Sequence, residues 1–247
     1  MFMIRNWSAS AAGALRGSPA PVTRTLIVLC CLVFLVGPAS GLNPAHGSGE
    51  ELLAAQRACF RRWGVIPADL FEGFPGAVLT PATALFVHGG WVHLLGNMLF
   101  LHVFGAMTEA RMGRVRFTVC YVGCGYLALL GYAAAHADSG QPLVGASGAI
   151  SAVLGAFLFL FPRARVTSLL PFLFFLPVRF PAWVVLPFWA ALQWAAAGRA
   201  DGGGPGVAYL AHLVGFGLGF GYAWVRFGRA TTVKATPAPV PEGENQP

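Results

Sequence analysis

Residues 145–151 read GASGAIS and open directly into an apolar run that reaches Phe161. Ser147 stands among glycines and other small residues, so little side-chain bulk surrounds its hydroxyl group. The first turn of a helix also has backbone N–H groups without intrahelical partners, and such groups bind anions. The stretch therefore combines a candidate nucleophile with a candidate anion site at the start of an apolar helix. The same pattern also occurs by chance in glycine-rich membrane helices. Whether Ser147 is catalytic therefore depends on which residues of other helices face it.

The composition is that of a membrane protein. Of the 247 residues, 56% are hydrophobic and 10% are charged, whereas about 25% are charged in soluble domains. A bilayer core about 30 Å thick needs about 20 apolar residues per helix, and apolar segments of this kind account for most of the chain. The net charge of +7 comes from basic residues at the ends of apolar segments, so membrane topology explains it and we expect no nucleic-acid partner.

The sequence predicts an all-α membrane protein with six transmembrane helices. The predicted spans are 26–36 with its flanks, 91–107, 117–135, 147–161, 181–197 and 207–227. A long outer loop joins the first two spans, and its charged and apolar residues at 49–62 favour an amphipathic helix at the membrane interface. We expect flexible cytoplasmic tails at 1–23 and 230–247, with one domain at 24–229. The segment 169–180 is apolar but broken by Pro171 and Pro177, so its relation to the membrane stays open.

The basic residues orient these spans. If the N-terminus is inside, twelve of the sixteen Lys and Arg residues lie on the inner side and four on the outer side. Positive charge is enriched in cytoplasmic segments, so this ratio predicts that both termini are cytoplasmic.

The orientation brings the polar residues of alternate spans to one depth. The second, fourth and sixth spans all run from outside to inside, so their first turns share a level near the outer face. Those turns carry His88, His93, Asn97, Ser147 and His212. Ionisable groups inside membrane spans face the protein interior or a water-filled cavity and indicate function.

Small residues predict a close approach of the fourth and sixth spans. Gly215 and Gly219 form a GxxxG face beside His212, and a matching stripe of small residues begins at Gly148. Such faces bring helix backbones together, as a hydrogen bond of about 2.6–3.2 Å between Ser147 and His212 would require. The alternative is simple helix packing, with the histidine bonded to another neighbour.

His93 and Asn97 are four residues apart and lie on one face of a helix. Both side chains can donate hydrogen bonds to the oxyanion that develops during acyl transfer. An interhelical polar clamp is the alternative. We expect His88, at the edge of the loop, to be structural or solvated.

No carboxylate is predicted at this depth. Asp138 and Asp201 fall in outer loops, and Glu109 falls at the inner end of the second span, where it either anchors the basic inner loop or caps another element. A Ser-His-Asp triad is therefore disfavoured, and a dyad of Ser147 and His212 remains.

Three stretches together resemble the rhomboid intramembrane serine proteases. They are HGGWVHLLGNM at 88–98, GASG at 145–148 and AHLVG at 211–215 with Gly219, in that family's order. The resemblance covers roughly residues 26–227. It implies that Ser147 is the nucleophile and His212 its general base and acid. It also implies that His93, Asn97 and the Ser147 backbone N–H form the oxyanion hole, and that Gly145 shapes the turn.

The same resemblance implies the partners of the protein. The substrate would be a transmembrane helix of another membrane protein, cut near its outer end in a cavity open to water, with no metal and no cofactor. We expect a multi-pass protein of the bacterial inner membrane in contact with lipid. The substrate identity, the pathway and the oligomeric state stay open.

Two positions depart from the pattern of the family. Some members have an aromatic residue four positions after the nucleophile, where it stacks on the histidine, but Ser151 stands there in this chain. Some also carry a Trp-Arg pair in the outer loop, which here reads Arg62-Trp63 in the reverse order. The orientation of His212 and the contacts of the loop with lipid therefore stay open.

Two other functions fit parts of the sequence. A non-catalytic binder or chaperone of transmembrane helices could use the same groove. A metal site or transporter could use His88, His93, His136 and His212, although the chain has no HExxH helix.

Overall fold

The apolar runs form helices in the computed structural model, which describes residues 19–170, 176–198 and 208–228. In this part of the chain the helices are α1 (Pro21–Val36), α2 (Glu50–Trp63), α3 (Pro67–Phe71), α4 (Ala77–Phe86), α5 (Trp91–Met112), α6 (Arg114–Ala135), α7 (Ser147–Leu160), α8 (Ala182–Ala197) and α9 (Tyr209–Phe227). Strands β1 (Arg165–Leu170) and β2 (Leu176–Pro181) lie between α7 and α8. The predicted tail at 230–247 lies outside the described residues.

Two of these helices can cross a bilayer by length and composition alone. They are α5 and α6, each 22 residues long, with mean hydropathies of 1.2 and 1.5. Helices α1, α7 and α8 are apolar but have 16, 14 and 16 residues, fewer than the roughly 20 that a straight crossing needs. The six-span topology therefore stays a prediction.

The described part of the chain is mostly helical, as predicted, with one β-hairpin that the prediction lacked. Strands β1 and β2 pair antiparallel, from Arg165 opposite Pro181 to Leu170 opposite Leu176. Proline lacks the N–H that a helix interior needs, and Val166 and Thr167 are β-branched residues that favour strands. The broken apolar segment predicted at 169–180 is thus largely strand in its described part.

Helix α7 forms the centre of the bundle. Eleven of its 14 residues are buried, which fits a helix that is apolar on every side. Its backbone touches that of α9, because a Cβ atom on Gly215 would overlap the Gly148 carbonyl group and one on Gly219 would overlap the Ala152 carbonyl group. The predicted close approach of these two helices is present.

The first helix is fastened to the end of α5 by a buried carboxylate. One oxygen of Glu109 accepts a hydrogen bond from the Val22 N–H at 3.0 Å. The other accepts from the Thr23 N–H at 2.7 Å and from the Thr23 hydroxyl at 2.8 Å. Glu109 therefore caps α1, which is one of the roles considered from the sequence. Helix α1 begins at Pro21, and the domain boundary predicted after residue 23 stays a prediction.

The long loop between α1 and α5, predicted to be the outer loop, contains the helix predicted at 49–62, which is α2. Glu50 and Glu51 lie in its first turn and Arg61 and Arg62 in its last, an arrangement that favours a helix through its dipole. The guanidinium group of Arg62 lies 5.1 Å from the centroid of the Trp63 ring, so the reversed pair forms a cation–π contact.

Candidate active site

The turn before Ser147 is held by backbone hydrogen bonds to the outer loop. The Gly145 N–H donates to the Ala84 carbonyl at 2.9 Å, and Leu143 pairs with Val65 through bonds of 2.7 Å and 2.9 Å. Gly145 has φ of 125°, a conformation that residues with side chains rarely adopt. Helix α7 then begins at Ser147, so the first N–H groups of the helix have no intrahelical partner.

The structure brings the predicted nucleophile and base together. His212 lies in the first turn of α9, and its Nε2 atom is 2.8 Å from the Ser147 Oγ atom. The histidine is 8% exposed, whereas the serine is half-buried. This is the direct contact that transfer of a proton from the hydroxyl to the imidazole needs.

A residue that the sequence analysis missed contacts the other side of the same ring. The His212 Nδ1 atom is 2.7 Å from the Oε1 atom of Gln193, which belongs to α8. The indole of Trp189, one turn earlier on α8, stacks on the imidazole with centroids 6.2 Å apart and 30° between the planes. The available signal was that Gln193 is the one amide or charged residue in the apolar run 181–197.

His93 presents a hydrogen-bond donor to the space beside Ser147. Its Nδ1 atom accepts a hydrogen bond from the Gly89 N–H at 3.3 Å, so the proton of the neutral ring lies on Nε2. A Cβ atom on Gly145 would lie 2.7 Å from His93 Nε2 and 3.9 Å from Ser147 Oγ. The donor and the hydroxyl therefore border the same small space, which stays open because residue 145 is a glycine.

Asn97 supplies a second donor on the same helix. It lies one turn after His93 on α5 and is 8% exposed. Its Nδ2 atom is buried and has no hydrogen-bond partner among the residues that the structure describes. A buried unpaired donor destabilises a protein by about 1–3 kcal/mol, so this amide is free to bind an acceptor from a ligand.

His88 is buried, so of the two alternatives expected for it, structural or solvated, the structural one is present. It is 1% exposed, and its Nδ1 atom is 3.2 Å from the Phe86 carbonyl, to which it donates. Its ring contacts the His93 ring edge-on, with centroids 5.3 Å apart. Burial, and then the proximity of His93, lowers the pKa of His88 from 6.5 to about 4. His88 is therefore a neutral packing residue that supports the His93 ring at pH 7.

The sequence from 75 to 229, which is more than half of the chain, matches the model of the Rhomboid domain. The chain belongs to the rhomboid family. All eight predicted site residues lie inside the matched range. Rhomboid proteins are embedded in membranes, and most of those with known activity are intramembrane serine proteases.

Named relatives support this assignment. The chain is 38% identical over 143 residues to Rhomboid protein 1, mitochondrial, of Saccharomyces cerevisiae, an alignment that covers 56% of this chain and 39% of the relative. It is 30% identical over 128 residues to RHOMBOID-like protein 5 of Arabidopsis thaliana, which covers 52% and 40%. The matched parts thus span about two-fifths of the length of each relative.

The departure at position 151 now has a structural account in this rhomboid. The Ser151 hydroxyl turns back and donates to the Ser147 carbonyl at 2.7 Å, so its one proton is used within α7. The rings that contact His212 come instead from Trp189, and from Tyr209, which packs edge-on with centroids 6.4 Å apart. Aromatic packing on the histidine is therefore supplied by α8 and α9 rather than by α7.

The four histidines considered as a metal site do not form a metal-binding group in the described residues. Across residues 19–170, 176–198 and 208–228, no group of three His, Cys, Asp or Glu side chains has metal-binding geometry. His136 is exposed at the end of α6, where its ring stacks on Tyr132 with centroids 4.2 Å apart.

Proposed function

We propose that this protein is a serine endopeptidase that cleaves transmembrane segments of other membrane proteins inside the bilayer. The observation that carries the proposal is the hydrogen bond of 2.8 Å between Ser147 Oγ and His212 Nε2. The donors of His93 and Asn97 on α5 add the second requirement of acyl transfer, which is stabilisation of negative charge on oxygen. Membership of the rhomboid family agrees with both observations, the contact between Ser147 and His212 and the donors on α5.

We also propose a six-span topology, with the segments before α1 and after α9 in the cytoplasm. The spans would be α1, α5, α6, α7, α8 and α9. The distribution of Lys and Arg, twelve inside and four outside, supports this orientation. A bacterial inner membrane is the location that we propose for it.

The length of α7 supports a position of Ser147 below the outer surface of the membrane. Its 14 residues measure about 21 Å at about 1.5 Å per residue, less than the roughly 30 Å of a bilayer core. If the inner end of α7 lies at the inner surface, Ser147 lies below the outer surface. A peptide bond that reaches it belongs to a membrane-embedded substrate, and the substrate helix must unwind locally so that its carbonyl groups are free of intrahelical bonds.

In the first step the Ser147 oxygen attacks the scissile carbonyl carbon, and the hydroxyl proton moves to His212 Nε2. The C–O bond forms while the carbonyl π electrons move onto oxygen, which gives a tetrahedral oxyanion. His93 Nε2–H, the Asn97 amide and the N–H groups at the start of α7 are the donors for that charge. Loss of one such donor typically lowers the rate by about 10²–10³.

In the second step the C–N bond breaks, and His212 gives its proton to the leaving amine. The product is an acyl enzyme on Ser147. Water then attacks the ester and transfers a proton to His212 Nε2, and collapse of the second oxyanion releases the carboxylic acid and restores the serine hydroxyl. The full cycle consumes one water for each peptide bond.

Cleavage of a reporter transmembrane segment by the purified protein in liposomes tests the proposal. We expect Ser147→Ala and His212→Ala to lower the rate by at least about 10³-fold, since each removes a member of the dyad. Ser151→Ala is the matched control for the serine because it lies one turn further along the same helix, and His136→Ala is the control for the histidine. Both controls should retain activity.

Labelling by a fluorophosphonate probe gives a second measurement that does not depend on the substrate. It should occur in the wild type and in Ser151→Ala, and it should be absent in Ser147→Ala. Cleavage that persists in purified Ser147→Ala would refute the mechanism. Tight binding of a reporter helix by the wild type without cleavage or labelling would favour the non-catalytic binder instead.

A further inference from the structure

We infer that Gln193 is a positioning residue that holds His212 in the tautomer required of a general base. This inference rests on the proposed function. Both nitrogens of the His212 ring are engaged, and by different helices: Nε2 is 2.8 Å from Ser147 Oγ on α7, and Nδ1 is 2.7 Å from Gln193 Oε1 on α8. The site is therefore a chain of three side chains rather than a dyad.

The chemistry of Gln193 determines which nitrogen carries the proton. The Oε1 atom is a carbonyl oxygen, which accepts hydrogen bonds and cannot donate them. At 2.7 Å the Nδ1 atom must then be the donor, because an unprotonated Nδ1 would place two lone pairs against each other. With the proton on Nδ1, the lone pair of the neutral ring lies on Nε2, where it accepts from the Ser147 hydroxyl.

The orientation of α8 supports a dedicated contact. Gln193 and Trp189 are four residues apart and so lie on one face of α8, and both meet the His212 ring. The neighbouring Leu192 and Trp194 are 51% and 71% exposed, so the opposite side of the helix faces away from the protein. An amide that pointed outwards would face lipid without a partner, whereas here it meets the catalytic ring.

An amide suits this position better than a carboxylate would. No carboxylate hydrogen-bonds to His212 within the described residues, and the other groups near the ring are Trp189, Tyr209 and His93. A buried carboxylate would need a partner charge throughout the catalytic cycle, while the histidine is charged only after it has taken the serine proton. The neutral Gln193 carbonyl accepts a hydrogen bond from Nδ1–H in both states.

Kinetics of the full-length protein in liposomes test the role. In Gln193→Met the side chain keeps its length but loses the acceptor. We expect kcat to fall about 10- to 100-fold with KM within about twofold, since an oriented base contributes about 10²–10⁴ to the rate and part of that is lost. Leu192→Met is the matched control on the exposed side of the same helix and should keep the wild-type kcat.

Gln193→Glu separates positioning from a merely structural role. The carboxylate can still accept a hydrogen bond from Nδ1–H. The kcat of Gln193→Glu should therefore exceed that of Gln193→Met and lie within about tenfold of the wild type. Because the new negative charge stabilises the imidazolium form of His212, the acid limb of the pH–kcat profile should move to higher pH. A wild-type kcat in Gln193→Met, or an unmoved acid limb in Gln193→Glu, would overturn the inference.

Nitrogen-15 NMR of the histidine side chains reads the tautomer without any need for activity. The chain has six histidines, so the His212 signals are assigned by their absence in His212→Asn. We expect a protonated Nδ1 in the wild type and in Ser147→Ala, and a mixture of tautomers in Gln193→Met. A protonated Nε2 in the wild type would overturn the inference. Equal cleavage by the wild type and Ser147→Ala would instead refute the proposed function.

Discussion

Substitution of Gly145 by alanine should displace His93, the proposed oxyanion donor, while Ser147 and His212 stay in contact. The new Cβ atom would lie 2.7 Å from His93 Nε2 and Cε1, whereas carbon atoms in contact are separated by about 3.5–4.0 Å. The ring must therefore move by about 1 Å. A displacement of that size at an active site lowers a rate by about 10²-fold. Alanine at a φ of 125° adds backbone strain of about 1–3 kcal/mol, which lowers the free energy of unfolding.

A double-mutant cycle isolates the cause of this loss. We expect kcat to fall about 10²-fold in Gly145→Ala and about 10²–10³-fold in His93→Ala. If Gly145→Ala acts by displacing His93, the double variant should lose no more than His93→Ala alone, because the donor can be lost only once. The assay is cleavage of a reporter transmembrane segment in liposomes, with kcat determined at saturating substrate.

The matched control is Gly140→Ala in the same loop. A Cβ atom at that position would meet nothing within 4 Å, so wild-type kcat is expected. Equal kcat values in Gly145→Ala and Gly140→Ala would contradict displacement of His93 as the cause. So would a double variant in which the fold losses in kcat of Gly145→Ala and His93→Ala multiply, because the two substitutions would then act independently.

Three further predictions concern the stability of the fold. Glu109→Ala leaves the buried donors of Thr23 without an acceptor, so the free energy of unfolding in detergent should fall by about 3 kcal/mol, with a smaller loss in Glu109→Gln. The depressed pKa of His88, about 4 against 6.5, means that the unfolded chain binds a proton first as the pH falls. The free energy of unfolding should have its full value above pH 6.5 and should decrease by about 3 kcal/mol by pH 4. His88→Phe should flatten this pH dependence in unfolding curves measured at several pH values. Gly219→Ala drives a methyl group into the Ala152 carbonyl and should lower both the thermal midpoint and kcat, whereas Gly217→Ala, which meets open space, should lower neither.

Each of these predictions has a clear contrary result. Wild-type stability in Glu109→Ala would mean that water or lipid replaces the carboxylate. An unchanged pH dependence in His88→Phe would assign the acid instability to another group. Equal effects of the two glycine substitutions would show that helix propensity, rather than the contact between α7 and α9, governs both.

The sequence predicted that Ser147 and His212 lie together, because their contact follows from a few features that can be read along the chain. Apolar runs of helical length gave α5, α6, α7, α8 and α9 with small errors at their ends. The alternating direction of the spans then placed Ser147 and His212 at one depth, and the small residues at Gly215 and Gly219 predicted the close approach that their contact needs. None of these steps requires knowledge of how a helix is rotated.

The features that the sequence did not predict depend on how a helix is rotated about its axis or on partners that are far apart in sequence. Gln193 is visible as a lone amide in an apolar run, but only the facing of α8 reveals that it meets His212. The bond between Glu109 and Thr23 joins residues 86 positions apart, and no local pattern selects that pair among the alternatives. Burial of His88 depends on the packing of the outer loop over α5.

The hairpin was missed for a different reason. A short apolar run reads the same as a buried strand or as a piece of buried helix, because neither shows the polar–apolar alternation of a half-exposed strand. The prolines in 169–180 argued against a helix but did not by themselves indicate two paired strands. Strand pairing is a contact between segments, and composition alone does not specify it.

The cap that Glu109 places on α1 has a consequence for biogenesis. When α1 leaves the ribosome, the N–H groups of Val22 and Thr23 have no acceptor, because the carboxylate that they need has yet to be synthesised. That carboxylate arrives only at the end of the next long apolar helix. The amino end of α1 therefore reaches its final state only after α5 has been synthesised and has packed against it.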